Sequence, residues 1–347
     1  MRRIRIVAGI ILALILVGAV LWFVPTGDFV ILPGVTGNLR QMVHVAGGRF
    51  PRRGTLLMVA VDLAPANLLL DLYARLTPFA ELVPRTEILP PGGNLHQYLV
   101  ESNLEMDQSQ KDAEVAALRF LGYPARVEGQ GALVLATAPG YPAAKVLRPG
   151  DVVVAVDGTS VSGAKSLEEL VASHGPGSRL TLLVERHKRR LAFSLTTVPN
   201  PKAPGRSLIG VEVATYRQRY VIPVPIRIDS AGIGGPSAGL MFSLAIVQEL
   251  RPSWNLTHGL VVAGTGAIAA DGSVEPIGGT AEKVLTVWRA GAKVFLVPKA
   301  NYPEARAEVD RVGLAGRLRL IPVTSLAEAV DRLRHLPTHG VPSGGGT

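Results

Sequence analysis

The pattern of apolar and polar positions divides the first 200 residues into three kinds of segment. Residues 6–24 form an uncharged apolar run of 19 residues. At about 1.5 Å per helical residue this run is long enough to cross a hydrocarbon layer of about 30 Å. Residues 94–121 place apolar side chains at the spacing of a long amphipathic helix. Residues 131–198 contain short β-rich runs separated by turns, which predict a separate small β-domain.

After residue 200 the pattern predicts an extended run and two helices. The extended run covers residues 220–228 and leads into a glycine turn. One helix is predicted over residues 237–250, and it opens at Ser237. The other is predicted over residues 280–290, where apolar residues indicate one packed side and Gly291 provides a C-terminal stop.

Ser237 and Lys283 are the candidate catalytic residues. A serine hydroxyl is a weak nucleophile until a base takes its proton, and lysine can be that base only when neutral. A working pKa of about 8 requires roughly 3 kcal/mol of destabilisation of the ammonium, most simply through apolar surroundings. Gly235 lets the backbone turn sharply before Ser237, and Pro236 suits a first helical turn. Free N–H groups at this helix start could hold a developing oxyanion.

The two segments together resemble the proteolytic domain of the Lon family of Ser/Lys peptidases. The resemblance rests on GGPSAG at 234–239 and PIGGTAEK at 276–283. It extends to AGTGAI at 263–268 and DGSVEPIGG at 271–279, which follow the serine segment and lead into the lysine segment. It implies that Ser237 is the nucleophile, Lys283 the general base, and Thr265 a hydroxyl that orients the lysine. Many Lon proteases carry an aspartate three positions before the serine, where this chain has Gly234. The resemblance also allows a homo-oligomer.

Two other interpretations use the same residues. GPSAG at 235–239 fits the Gly-x-Ser-x-Gly elbow of α/β-hydrolases, for which Asp310 and His335 have the required order downstream. That interpretation leaves the segment around Lys283 unexplained. His258 is a further candidate base, although a lone histidine beside a glycine is more often a polar surface residue.

Residues 131–198 resemble a PDZ domain of the bacterial protease type. The resemblance rests on PAA at 142–144, LRPGD at 147–151 and VDG at 156–158. Such domains bind an extended peptide by adding it to a sheet edge. The groove strand is predicted to begin at Gly131, Ala132, Leu133 and Val134. The alternative is a β-domain that only spaces or caps the protease.

The front part, especially around Met106 and residues 109–122, resembles membrane-anchored, PDZ-containing Lon-like proteases of the YlbL type. The predicted fold class is α+β: a Lon-type proteolytic domain with an inserted PDZ-like β-rich domain and one N-terminal transmembrane helix. The predicted order is a cytoplasmic tip and anchor (1–27), the front part of the Lon-like domain (28–122), the PDZ-like domain (123–199), the catalytic part (200–336) and a disordered tail (337–347).

The composition excludes several classes of protein. The chain has 347 residues and no cysteine, so it has neither a thiol nucleophile nor a disulfide framework. It lacks a His-Glu-x-x-His signature, and we expect neither a metal nor a cofactor. The net charge of +9 comes from scattered residues without an aromatic-basic module, so no nucleic-acid partner is expected.

The N-terminus predicts export and membrane attachment. Arg2, Arg3 and Arg5 precede the apolar run, so the positive-inside rule keeps this end cytoplasmic and places the catalytic part outside the cell membrane. A cleaved signal peptide is the alternative, because residues 17–19 are small, but residues 20–24 prolong the run beyond them.

Together these features predict a single-pass, ATP-independent serine endopeptidase, since the sequence has no Gly-x-x-x-x-Gly-Lys-Ser/Thr phosphate loop. Its expected substrates are flexible or unfolded exported proteins and peptides, presented by the PDZ-like groove. The alternative function is a catalytically inactive, membrane-tethered peptide-binding adaptor or chaperone.

Overall fold

The computed structural model describes residues 2–77, 79–89, 93–201 and 203–336. The predicted disordered tail, 337–347, lies outside these residues. The chain divides into two compact units, of which one combines Met1–Pro124 with Ile222–Thr347 and the other is Ala125–Val221. The second unit is therefore inserted into the sequence of the first.

The helices and strands are numbered here in chain order. The helices are α1 (Arg2–Phe23), α2 (Leu39–Met42), α3 (Leu68–Leu76), α4 (Arg85–Ile88), α5 (Leu95–Phe120), α6 (Ala164–Ala172), α7 (Gly239–Leu250), α8 (Thr280–Arg289), α9 (Tyr302–Arg311) and α10 (Leu326–Arg334). The strands are β1 (Pro25–Asn38), β2 (Val43–Val45), β3 (Thr55–Asn67), β4 (Glu81–Val83), β5 (Arg126–Glu128), β6 (Ala132–Thr137), β7 (Val152–Val156), β8 (Thr159–Ser160), β9 (Arg179–Arg186), β10 (Arg189–Thr196), β11 (Val198–Pro199), β12 (Ser207–Leu208), β13 (Val211–Thr215), β14 (Arg219–Val221), β15 (Ile226–Ile228), β16 (Val261–Gly264), β17 (Ala267–Ile268), β18 (Val274–Glu275), β19 (Val294–Pro298) and β20 (Arg319–Val323).

The first unit is built on a mixed six-stranded sheet in the order β20-β19-β16-β3-β1-β4. Strands β3, β16, β19 and β20 run parallel to one another, and β1 pairs antiparallel with both β3 and β4. Parallel strands need crossover connections, and here helices supply several of them. The carboxyl ends of the parallel strands therefore meet along one edge of the sheet.

Helices cover both faces of this sheet, because side chains along a strand alternate in direction. On β3, Leu56 and Met58 join the core that contains α7 and α10, whereas Leu57 and Val59 join the core that contains α8 and α9. All residues of α7 from 239 to 249 are buried. A helix that is apolar on all sides in this way belongs between two layers, here the sheet and α5.

The second unit has a sheet in the order β10-β9-β7-β6-β13, with β8 paired to β7, and one helix, α6, packed on its core. Strand β13 pairs antiparallel with β6. The unit therefore extends to Val221, beyond the predicted boundary at residue 199, because its edge strand comes from residues 211–215. Near its two ends, β5 and β14 pair with each other, so the chain enters and leaves the unit along neighbouring strands.

The predicted groove strand is an internal strand. Residues Ala132 and Leu133 pair with β13 on one side and with β7 on the other. The Val134 N–H donates to the Asp151 carbonyl on the β7 side at 2.8 Å, and the Gly131 carbonyl accepts from Tyr216 at 2.8 Å. Strand addition needs unpaired backbone groups. The prediction that a peptide adds at residues 131–134 is therefore wrong.

The first helix, α1, has 22 residues and connects directly to β1. Among the residues described, no helix combines the length and the apolarity needed to cross a bilayer.

Candidate functional site

Lys283 is a buried amine that has no ionic partner among the residues that the structure describes. It lies in the first turn of α8, with only 2% of its surface exposed, which agrees with the burial predicted from the sequence. Its Nζ donates to Thr265 Oγ1 and to the Gly278 carbonyl, each at 3.2 Å. Both partners are neutral, and no carboxylate of the described residues forms an ion pair with it.

Burial determines the protonation of this amine. Removal from water lowers the pKa of Lys283 from 10.5 to about 8, and the charges of Glu304 and Glu282 offset only part of that effect. A lysine with this pKa is neutral in a useful fraction of molecules near neutral pH. Unpaired burial of this kind is typical of functional sites rather than of surface lysines.

Residues in the first turn of α9 and at its N-cap hold the loop that precedes Lys283. The N-cap of α8 is Gly279, which has no side chain with which to cap the helix. Glu304 replaces that cap, since its carboxylate accepts from the Ala281 N–H at 3.1 Å. Asn301 accepts from the Ile277 N–H at 2.9 Å and donates to the Ile277 carbonyl at 2.8 Å. This clamp fixes the loop that supplies the Gly278 carbonyl.

Ser237 lies in a sharp turn that begins α7. A short 3-10 turn, Pro236–Ala238, connects to the helix, and Gly235 before it has φ 82°, a conformation that favours glycine. The Gly235 N–H donates to the Ser102 carbonyl of α5 at 2.8 Å. A Cβ at Gly234 would lie 2.5 Å from Ser102 Oγ. A larger residue at 234 would therefore require at least the Ser102 hydroxyl to rotate away.

Thr265 connects the serine turn with the lysine. It follows β16 at the carboxyl edge of the sheet and is fully buried. Its Oγ1 donates to the Ser237 carbonyl at 3.2 Å and accepts from Lys283 Nζ. The next N–H, of Gly266, donates to the same Ser237 carbonyl at 2.7 Å. The serine comes from a helix on one face of the sheet and the lysine from a helix on the other, and they converge on this strand end.

The hydrogen bonds indicate where the lone pair of a neutral amine points. A neutral amine has two N–H donors and one lone pair, and Thr265 and Gly278 accept one donor each. The lone pair is then left for a third group. The Ser237 side chain is partly exposed, and its Oγ makes no hydrogen bond with the described residues, Lys283 included. Among the described residues, this hydroxyl is therefore not engaged by another group.

The structure does not assemble the triad of the α/β-hydrolase interpretation. His335 is exposed and contacts Asp331 on its own helix, while Asp310 pairs with Arg306. The ring of His258 contacts the Leu333 carbonyl at 2.9 Å.

Two groups that hold the lysine and the loop before it were not predicted from the sequence. One is the Gly278 carbonyl, because every residue has a backbone carbonyl and no sequence pattern marks this one. The other is Asn301, which could have been noticed as a polar residue at the start of a helix.

One edge of the second unit's sheet lies beside a cavity. Strand β13 is the last strand of its sheet, so alternate backbone groups point away from β6. At its start lies a cavity of about 480 Å³, whose lining includes Tyr141, Leu208, Gly210 and Val211. This edge and cavity, rather than β6, have the features of a peptide site.

In the comparison with known proteins, one family model matches most of the second unit and another matches the later part of the first. Residues 119–197 match the PDZ domain family, and residues 211–334 match the Lon protease (S16) C-terminal proteolytic domain. The Lon protease of Roseiflexus castenholzii is 35% identical over 120 residues, which cover 33% of this chain and 14% of that protein. The Lon protease of Campylobacter jejuni is 33% identical over 182 residues, which cover 50% of this chain and 22% of that protein. This chain thus spans less than a quarter of those relatives.

Among solved structures, the PDZ domain of the SdrC-like protein from Listeria monocytogenes matches 24% of this chain and 87% of its own length, with 20% identity and a TM-score of 0.23. That score is too low to support a conclusion. The family matches confirm the two predicted modules: the chain contains a PDZ domain and a Lon-type C-terminal proteolytic domain.

Proposed function

We propose that this protein is a serine endopeptidase in which Ser237 is the nucleophile and Lys283 the general base. The observation that carries the proposal is the buried, unpaired Lys283, whose pKa is about 8 and whose partner Thr265 also contacts the Ser237 carbonyl. A purely structural lysine would have an acidic partner or a solvated tip. The proteolytic family match supports the same chemistry.

In the proposed mechanism, the lone pair of Lys283 takes the Ser237 hydroxyl proton while Oγ attacks the scissile carbonyl. The resulting ammonium gives that proton to the leaving amine, and an acyl-enzyme remains. Water then attacks the ester while Lys283 takes a proton from it, and the lysine returns that proton to Ser237 Oγ as the new carboxyl end is released. Backbone N–H groups at the start of α7 stabilise the oxyanion of each tetrahedral intermediate.

The test compares the wild type with Ser237→Ala and Lys283→Ala on unfolded casein. We expect both variants to lose cleavage, whereas Lys299→Ala, which removes an exposed lysine, retains it. Equal turnover by all four proteins would remove the catalytic assignment. Absence of cleavage by the wild type together with retained casein binding would instead favour the adaptor or chaperone function.

We also propose that the enzyme acts without ATP on flexible or unfolded chains. The sequence has no phosphate loop to drive unfolding, which supports this part of the proposal. Cleavage of unfolded casein should then proceed without nucleotide, and a stably folded protein should resist it. Dependence of casein cleavage on added ATP would contradict this.

We propose that the PDZ domain presents substrate at the free edge of β13. An extended peptide would add to that edge, and one of its side chains would enter the neighbouring cavity. Val211→Glu puts a charge in the cavity wall and should weaken binding of a fluorescent unstructured peptide to the Ser237→Ala protein. Leu135→Glu is the matched control, since Leu135 is exposed on the adjacent strand outside the cavity lining. Equal affinities would exclude this edge.

The membrane-anchored, YlbL-type assignment is a further part of the proposal. The uncharged run at 6–24 and the three arginines before it support an anchor with the catalytic part outside, although no helix among the described residues is both long and apolar enough to span a bilayer. Full-length protein should sediment with membranes and resist a carbonate wash, and a chain lacking residues 1–27 should not. Release of the full-length chain by that wash would reject the anchor.

A further inference from the structure

A buried serine of α5 contacts the peptide that joins Pro236 to Ser237. Ser109 is 3% exposed, and its Oγ donates to the Pro236 carbonyl at 2.8 Å. The Gly239 N–H donates to that same oxygen and closes the 3-10 turn. The Pro236 carbonyl is thus held by a side chain from a helix 127 residues earlier in the chain as well as by the local turn.

Holding this carbonyl also orients the N–H of the nucleophile. A trans peptide is planar, so its C=O and N–H point in opposite directions. Because Ser109 and Gly239 hold the Pro236 oxygen on one side, the Ser237 N–H points to the other. That N–H makes no hydrogen bond with the described residues. It is therefore a donor of fixed direction, from which a developing oxyanion can accept a hydrogen bond.

We propose that Ser109 is a positioning residue, which acts through the Pro236–Ser237 peptide to aim the Ser237 N–H at the oxyanion. This inference rests on the proposed peptidase function. It assigns a catalytic consequence to a buried polar residue of α5, the helix whose Ser102 carbonyl also accepts from the Gly235 N–H. The sequence offers one sign of it, since Ser109 shares an apolar helix face with Met106 and Ala113 at three- and four-residue spacing.

The experiment compares kcat and KM of the full chain and its Ser109→Ala variant on a fluorogenic peptide. Loss of one oxyanion donor costs about 10²- to 10³-fold in kcat, so loss of its orientation should cost about tenfold or more. KM should change little, because the oxyanion exists only in the transition state. A peptide aldehyde, whose carbonyl oxygen becomes the oxyanion when Ser237 Oγ bonds to its carbon, should lose affinity in parallel with kcat.

Two variants separate this role from packing. Ser109→Cys fills the same space with a weak donor, so it should remain impaired if the hydrogen bond matters and recover if only packing matters. Ser243→Ala removes another fully buried hydroxyl of the α5–α7 interface, which donates to the Gly239 and Ala113 carbonyls. It should lower thermal stability comparably and leave kcat nearly unchanged.

The outcomes distinguish this inference from the proposed function. If the wild type cleaves with dependence on Ser237 and Ser109→Ala matches Ser243→Ala in kcat, then only the positioning role is overturned. Full recovery by Ser109→Cys overturns it as well. If the wild type does not cleave at all, the proposed function itself fails.

Discussion

The two units bury charged groups in opposite ways. In the PDZ domain, Asp151 is 2% exposed at its side chain and forms two hydrogen bonds of 2.7 Å with Arg186. In the proteolytic domain, Lys283 is equally buried, and its hydrogen-bond partners among the described residues are Thr265 and the Gly278 carbonyl. One charge is neutralised by a partner, whereas the other can be neutralised only by losing its proton.

The pKa values follow this difference. Burial raises the pKa of Asp151, but the hydrogen bonds from Arg186 and from the Arg148 N–H outweigh burial and hold that pKa below its ordinary value. Burial lowers the pKa of Lys283 to about 8. The ion pair therefore keeps its charge and fixes structure, while the lone amine titrates in a range where it can exchange protons with a substrate.

The largest expected effect comes from removing the unpaired amine. Lys283→Met should lower casein cleavage by about 10²- to 10⁴-fold, the usual contribution of a general base. The same change should raise the free energy of unfolding by up to about 3 kcal/mol at pH 7, because a buried group with a pKa shifted from 10.5 to about 8 no longer opposes folding. Parallel kinetics and urea denaturation measure both. If Lys283→Met were slow and also strongly destabilised, the buried lysine would support folding as the ion pair does, and the comparison between the two units would fail.

The matching change in the other unit should have the reverse result. Arg186→Met leaves Asp151 buried without its partner and should lower the free energy of unfolding by about 3 kcal/mol. Cleavage of a short peptide at a temperature where the variant is folded should stay at the wild-type rate. Arg190→Met, which removes an exposed arginine of β10, is the control and should change stability by less than about 0.5 kcal/mol. A destabilisation no larger than that of the control would show that the pair adds no structural support.

The candidate site could be predicted because its signals are local. The glycine turn before Ser237 and the apolar helix around Lys283 are each readable within about ten residues. What brings them together is not local: Thr265 is placed by parallel pairing of β16 with β3, a strand about 200 residues earlier. A sequence pattern does not specify such pairing.

The groove prediction failed for the same physical reason. Residues 131–134 were assigned to the groove through their resemblance to a PDZ domain, but β13, about 80 residues later, pairs with this strand. Residues 220–228 were predicted as one extended run, whereas the structure divides them into β14, which pairs with β5, and β15, which pairs with β2. Extended residues have similar patterns wherever they pair, so partner choice comes from tertiary packing.

The pH dependence sharpens the comparison further. Because only the neutral amine is a base, kcat/KM should rise about tenfold per pH unit well below pH 8 and level off above it. The stability effect has the same direction: between pH 8 and 10.5 the unfolded chain binds more protons at this lysine, so its unfavourable contribution to folding fades as pH rises. Initial rates from pH 6 to 9.5 measure the first effect. A rate that is flat below pH 8 would rule out a titrating base.

The smallest expected effect comes from the Glu304 carboxylate, and it tests how strongly this charge acts on the pKa of Lys283. The charge of Glu304 raises the pKa of Lys283 and so opposes burial. Glu304→Gln removes that charge, while the amide oxygen can still accept from the Ala281 N–H that caps α8. The acid limb of the rate profile should therefore move to lower pH, with a gain in rate of less than about tenfold below pH 8. Glu308→Gln is the matched control, because Glu308 is paired with Arg311 and is not among the charges that act on the lysine. If Glu304→Gln moved the limb to higher pH, or if both variants moved it equally, the amine would be responding to the helix cap or to the overall charge rather than to one opposing carboxylate.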